Sequence, residues 1–159
     1  MIERADFSRG KALAAHTQLM IQLTVASFLI AGTTFLHAIF VAFGAAILRG
    51  VSARMWGPIR FVRDSLAISV LALLLMFAHF IEMVMWAAAF IQLDLFTTWE
   101  KAIYFSAVSY TTLGFGDVLL PERWGLLAGA SAANGLLLFG LSAAFLVEAS
   151  AKLRLGGEP

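Results

Sequence analysis

The chain contains no cysteine, which excludes disulfides, thiolate metal sites and iron–sulfur clusters. Charge is also scarce: Asp, Glu, Lys and Arg make up 13% of the 159 residues, while 61% are hydrophobic. Such a balance cannot cover a soluble domain with a water-facing surface, and it points to an integral membrane protein. The formal net charge of +1 leaves no basic excess, so no nucleic-acid partner is expected. Arginines repeated at three-residue spacing inside a membrane helix, as voltage sensing requires, are missing too.

What is present is apolar length. Crossing a bilayer takes about 20 mostly apolar residues, and residues 17–48, 65–93 and 124–151 qualify, giving three transmembrane helices. Arg4, Arg9 and Lys11 before the first run imitate a secretory signal, but 17–48 holds no Asp, Glu, Lys or Arg. It far exceeds a signal's apolar region of roughly 7 to 15 residues, and a retained helix is expected. At a rise of about 1.5 Å per residue this helix must tilt, bend or project, with Gly32 and Gly44 as bend points. Residues 1–16 are expected to form a polar segment at the membrane interface, as a short amphipathic helix. Residues 49–64 form a basic connection and 152–159 a polar tail.

Between the second and third runs, residues 100–110 carry an apolar helical pattern through Ile103, Tyr104 and Val108 but are too short to span. A half-length helix entering and leaving by the same face is the expectation, because irregular backbone at membrane depth survives only against protein or a water-filled cavity. Ser109-Tyr110-Thr111-Thr112-Leu113-Gly114-Phe115-Gly116-Asp117 follows directly. Its two alternating glycines permit a left-handed backbone without steric cost, which a turn aiming successive carbonyls at one axis requires.

This string resembles the filter of the potassium channel pore-domain superfamily, whose usual form is Thr-Val-Gly-Tyr-Gly-Asp. Thr112 to Asp117 carry the match, and the likeness extends over residues 99–151. The resemblance implies an all-α membrane protein with three transmembrane helices, a re-entrant pore helix and a filter loop spanning 99–117. One filter per chain, without an internal repeat, implies a homotetramer. It implies K+ as permeant ion, passive conduction, no cofactor and no enzymatic activity. The ion-binding groups would be the carbonyls of Thr112, Leu113, Gly114 and Phe115 with the Thr112 hydroxyl. Tyr104, Phe105, Thr111, Gly116 and Asp117 would support them, with Asp117 at the outer mouth. Phe115 lacks the phenol that tyrosine would offer there, and Val108 stands where some relatives place a carboxylate partner for the aspartate. The third helix would line the inner cavity through Leu136, Phe139, Gly140, Ala143 and Val147, with Gly135 as hinge or as a close-packing glycine.

Basic residues set the orientation. Arg49, Arg54, Arg60 and Arg63 in the connection and Lys152 and Arg154 in the tail belong on the cytoplasmic side of the plasma membrane, leaving the filter mouth extracellular. Arg54, Arg60 and Arg63 would meet anionic lipid headgroups. His37 in the first helix and His79 and Glu82 in the second are ionisable groups at membrane depth. They must pair, neutralise or reach water, as a clasp between helices, as a pH-sensing network, or as a His-His-Glu zinc set in an intramembrane metalloenzyme, though the spacing is not that of His-Glu-x-x-His. Two other functions remain open at this level: a weakly selective Na+/K+ channel, since Leu113 and Phe115 alter the packing behind the coordinating atoms, and a non-conducting auxiliary subunit.

Overall fold

The protein is described by a computed structural model covering residues 2–50 and 58–155, with side chains except at 2–9, 12, 58–60 and 154–155. Among the described residues all regular structure is helical: α1 (Ile2–Gly50), α2 (Pro58–Gln92), α3 (Trp99–Tyr110), a single 3₁₀ turn (Glu122–Trp124) and α4 (Gly125–Leu155). Three helical stretches are long and apolar enough to cross a membrane, Leu13–Gly50, Phe61–Gln92 and Glu122–Leu153. The protein is therefore a multi-pass membrane protein.

α1 is one continuous helix. The boundary expected at residues 16 and 17 falls inside it, because nothing there breaks helix geometry: no proline lies between Ile2 and Gly50, and Gly10 stands in open space. The expected bend points at Gly32 and Gly44 lie within the same helix and serve close packing. A Cβ on Gly32 would meet Met85 at 3.3 Å, and one on Gly44 would meet Leu71 and Phe145 at 3.2 Å. Lipid tails are as apolar as leucine, so membrane helices associate through such close approach and through hydrogen bonds rather than through hydrophobic burial.

α3 has 12 residues, about 18 Å at a rise of about 1.5 Å per residue, roughly half the hydrocarbon thickness. Its start is capped by Thr98, whose Oγ1 accepts from the Lys101 N–H, with Glu100 in the first turn where the helix dipole favours an acid. Its end and the end of α2 are closed by one device. At α2, Asp94 N–H donates to Ile91 and Leu95 N–H to Phe90. At α3, Thr112 N–H donates to Ser109 and Leu113 N–H to Val108. These are paired bonds of the Schellman type, which place the residue after the cap in the left-handed region. Asp94 (φ 54°) and Thr112 (φ 61°) occupy it, although glycine is the usual choice. α3 thus stops at Tyr110, three residues short of Gly114.

Within the chain, α3 is wedged between α2 and α4, and α1 packs along both α2 and α4. Trp86, Phe90, Phe105, Tyr110, Trp124, Leu127 and Leu138 form the interior of this wedge. Phe28, Phe61 and Leu73 point outward, as residues facing a bilayer do.

Candidate functional site

The turn after α3 carries the expected backbone. Thr112, Gly114 and Gly116 have φ of 61°, 56° and 78°, so every second residue of 112–116 is left-handed. Sequence reasoning predicts this for the two glycines and misses Thr112, whose conformation comes from the α3 cap. Residues 112–117 are exposed in the isolated chain, with Leu113 at 59% and Phe115 at 66% of full accessibility. Behind them lies a cleft of about 350 Å³ lined by Phe105, Ser109, Thr112, Ala128, Gly129 and Ala132, among others.

α3 is fastened at three points, two on α2 and one on α4, by its own polar side chains. Ser106 Oγ donates to the Met83 carbonyl of α2 at 2.6 Å, and Ser109 Oγ donates to the Ala128 carbonyl of α4 at 2.9 Å. Tyr110 OH donates to Glu82 Oε2 at 2.5 Å. Thr111, one of the expected supports, turns its hydroxyl back to the Ala107 carbonyl. None of these α2 or α4 partners is evident from sequence; the only signal is that serine and tyrosine recur on one face of a short helix otherwise destined for burial.

The expected supports separate into two roles. Phe105 is buried and packs edge-on against Phe90, with Phe96 alongside, both ring centroids at 5.3 Å. Tyr104 reaches outward, and its OH donates to Asp117 Oδ2 at 2.6 Å. That bond holds the Asp117 carboxyl below the usual carboxylate range and raises the Tyr104 phenol above its ordinary value. Asp117 therefore has a partner from α3, the Tyr104 phenol, although Val108 offers none.

On α4, Leu136, Gly140, Ala143 and Val147 are exposed in the isolated chain. Phe139 departs from that set. It faces inward, stacked on His79 with centroids 4.0 Å apart and edge-on to Tyr110 at 5.8 Å, because the helix turns it into the α2–α3 side. Gly135 touches the end of α3: a Cβ built there would lie 1.9 Å from the Tyr110 carbonyl oxygen. α4 runs unbroken through it. Nearby, Asn134 Nδ2 donates to Thr33 Oγ1 of α1 at 2.7 Å, a cross-helix bond with no sequence signature.

His37, His79 and Glu82 come together, fully or almost fully buried. Nδ1 of His37 and of His79 lie 2.9 and 3.0 Å from the two carboxylate oxygens of Glu82. Nε2 of the same rings lie 3.1 and 3.0 Å from Ser142 Oγ on α4. The three side chains have potential ligand atoms within 4.8 Å of one another. Every one of those atoms is engaged at hydrogen-bond length, which describes a clasp joining all four helices.

Toward the other membrane face, Arg63 donates to Asp64 at 2.7 Å and Glu148 pairs with Lys152 at 2.7 Å. Arg54 lies outside the described residues, as does the side chain of Arg60.

A half-length helix between two spanning helices, ending in a turn of alternating handedness, is the arrangement of a channel pore. A family model described as "Ion channel" matches residues 69–152, more than half the chain. The chain belongs to the ion channel pore-domain superfamily. The match starts within α2 and ends in α4, so it contains α3, the turn and most of α4, and leaves α1 outside. Neither the curated proteins nor the solved structures contain a match. Membership places the protein among channels rather than enzymes.

Proposed function

We propose that this channel is potassium-selective and conducts passively through carbonyl rings contributed by four identical chains. The observation that carries this reading is the alternation of left-handed residues at Thr112, Gly114 and Gly116. It lets the carbonyls of Thr112, Leu113, Gly114 and Phe115 follow one another along an axis, where they replace the hydration shell of K+. A single chain provides one side of such a cage. Exposure of Leu113, Phe115, Leu136 and Val147 supports further copies completing it around this face. α3 ends at the turn, so the negative pole of its dipole favours a cation there.

The Tyr104–Asp117 bond ties the outer end of this turn to the middle of α3. Together with the Ser106, Ser109 and Tyr110 anchors, it fixes the turn at both ends. Asp117 and Glu122 give the mouth negative charge that attracts cations. By the distribution of basic residues this mouth is extracellular in the plasma membrane, and Arg49 and Lys152 are cytoplasmic. Anionic headgroups are the partners proposed for Arg54, Arg60 and Arg63; of these, Arg63 already shares its charge with Asp64.

Purified protein reconstituted with K+ on one side and Na+ on the other tests the reading. A reversal potential near the K+ equilibrium value, with current lost in Gly114→Ala, is expected. A reversal near zero would favour the weakly selective channel suggested by Leu113 and Phe115.

A further inference from the structure

We infer that His37, His79, Glu82, Tyr110 and Ser142 form a proton-binding site, and that its bound proton ties α4 to both α1 and α2. Counting hydrogens around the ring leads to this. An ionised Glu82 accepts from Tyr110 OH at 2.5 Å and from the Nδ1–H of His37 and His79 at 2.9 and 3.0 Å. Both neutral imidazoles are then Nδ1–H tautomers, each with a bare Nε2. Those two nitrogens lie 3.1 and 3.0 Å from the same Ser142 oxygen. A hydroxyl has one hydrogen and can donate to one of them. The other nitrogen would face an oxygen lone pair at contact distance in a buried site, an arrangement that costs free energy.

One added proton removes the conflict. Placed on either imidazole it makes an imidazolium, which donates Nε2–H to Ser142 while Ser142 donates to the other ring. Placed on Glu82 it lets the carboxyl donate to one Nδ1, whose ring then carries Nε2–H toward Ser142. The two arrangements have the same composition, satisfy every contact of the ring and bring its net charge to zero. Zero net charge is what a site at membrane depth favours. The titratable groups that face one another here are His37 from α1, His79 and Glu82 from α2, and Tyr110 from α3; α4 brings the Ser142 hydroxyl.

The proton's loss has a defined mechanical result. Glu82 keeps its three donors, so α1, α2 and the end of α3 stay joined. Ser142 loses one of its two histidines, and through this hydroxyl α4 is then tied to α1 or to α2 but not to both, while the Asn134–Thr33 bond to α1 persists. Phe139, stacked on His79 one helical turn before Ser142, lies at the same junction. α1 lies outside the region shared with the ion channel family, so this site is one route, beside the Asn134–Thr33 bond to α4, by which an added helix reaches the pore module.

Substituting Glu82→Gln provides a fixed analogue of the proton-bound ring. The amide NH₂ donates to His37 Nδ1, and its oxygen accepts from His79 Nδ1–H and Tyr110, so all contacts close with no dissociable proton. The first test is 15N spectroscopy of histidine-labelled protein in bilayers from about pH 5 to about pH 10, with exposed His16 as internal reference. Below the transition His37 and His79 should show either one imidazolium or two unlike neutral tautomers. On raising pH, one proton per chain should leave and both rings should become Nδ1–H together. In Glu82→Gln the unlike tautomers should persist through the alkaline range. Two like Nδ1–H tautomers at every pH in the wild-type chain would overturn the proposal, as would a stoichiometric metal ion found on the purified protein. This readout needs no current, so it stands apart from ion selectivity, and the wild-type spectrum decides even if the variant fails to assemble. Single-channel recording tests the tie to α4: the open probability should change across the same transition and lose that dependence in Glu82→Gln. An identical pH dependence in both would overturn the coupling.

Discussion

Replacing Gly135 by alanine separates the two roles open to this residue. A Cβ there would sit 1.9 Å from the Tyr110 carbonyl oxygen, 2.8 Å from its carbonyl carbon and 2.8 Å from its Cδ1. Two of these atoms are backbone, so no rotamer change relieves the overlap; the end of α3 and α4 must move apart by about 1 Å or more to reach ordinary contact. Overpacking of this kind costs about 1 to 3 kcal/mol, and the upper end applies where backbone must shift. The displacement also acts on Tyr110, whose OH holds Glu82 at 2.5 Å, and on a turn that begins at the next residue. Gly135→Ala should therefore lower the thermal midpoint of the assembled protein, weaken the fixed geometry at residues 112–117 and abolish or destabilise ion current. Gly10→Ala, with nothing within 4 Å of the added atom, should produce none of these three losses. If Gly135→Ala assembles with unaltered thermal stability and unit conductance and changes only the open probability, the packing argument fails and the glycine acts as a hinge.

Tyr104→Phe removes the donor to Asp117 and should speed the decline of current at the mouth. Because the carboxyl is held low, the bond is present above the ordinary Asp range and lost as pH falls through the lowered value; because the phenol is raised, it is present below the ordinary Tyr range and lost as pH rises through the raised value. Wild-type decline should steepen at both extremes, and Tyr104→Phe should be flat, as read by current at varied outer pH. Glu82→Ala leaves three buried donors without an acceptor and should cost about 3 to 5 kcal/mol, seen as loss of folded assembly in detergent. Ser109→Ala removes one bond to the Ala128 carbonyl and should cost about 1 kcal/mol by thermal unfolding with selectivity unchanged. A double-mutant cycle of Thr33→Val with Asn134→Leu should give a coupling of about 0.6 kcal/mol, the usual size for a hydrogen bond between membrane helices.

Composition and length are enough to read the spans, since hydrophobic stretches of 17–48, 65–93 and 124–151 have no soluble alternative. The short helix at 99–110 is legible from its apolar pattern through Ile103, Tyr104 and Val108, its limited length and the glycines that follow; its Thr98 cap is read only in the structure. What the sequence conceals is rotation. α1 and α4 are apolar on nearly all sides, so no stripe says which face meets a neighbour. Phe139 thus looks equivalent to Leu136 and Gly140 by spacing, yet turns inward onto His79. The bonds from Ser106, Ser109 and Asn134 depend on the same rotations. The left-handed Thr112 is concealed for another reason: its conformation follows from how α3 terminates, and threonine gives no local sign of it. His37, His79 and Glu82 are conspicuous in the sequence as ionisable residues at depth, while Ser142 and Tyr110, which complete their ring, look like ordinary residues of apolar helices.

The central claim is that residues 112–115 select K+ through their carbonyls. Reversal potential across a planar bilayer, with K+ facing Na+ at equal concentration, tests it most directly. A strongly shifted reversal toward the K+ equilibrium value, abolished with the current itself by Gly114→Ala, is predicted. A reversal at zero in verified assemblies, or a K+ current that Gly114→Ala leaves intact, would contradict it.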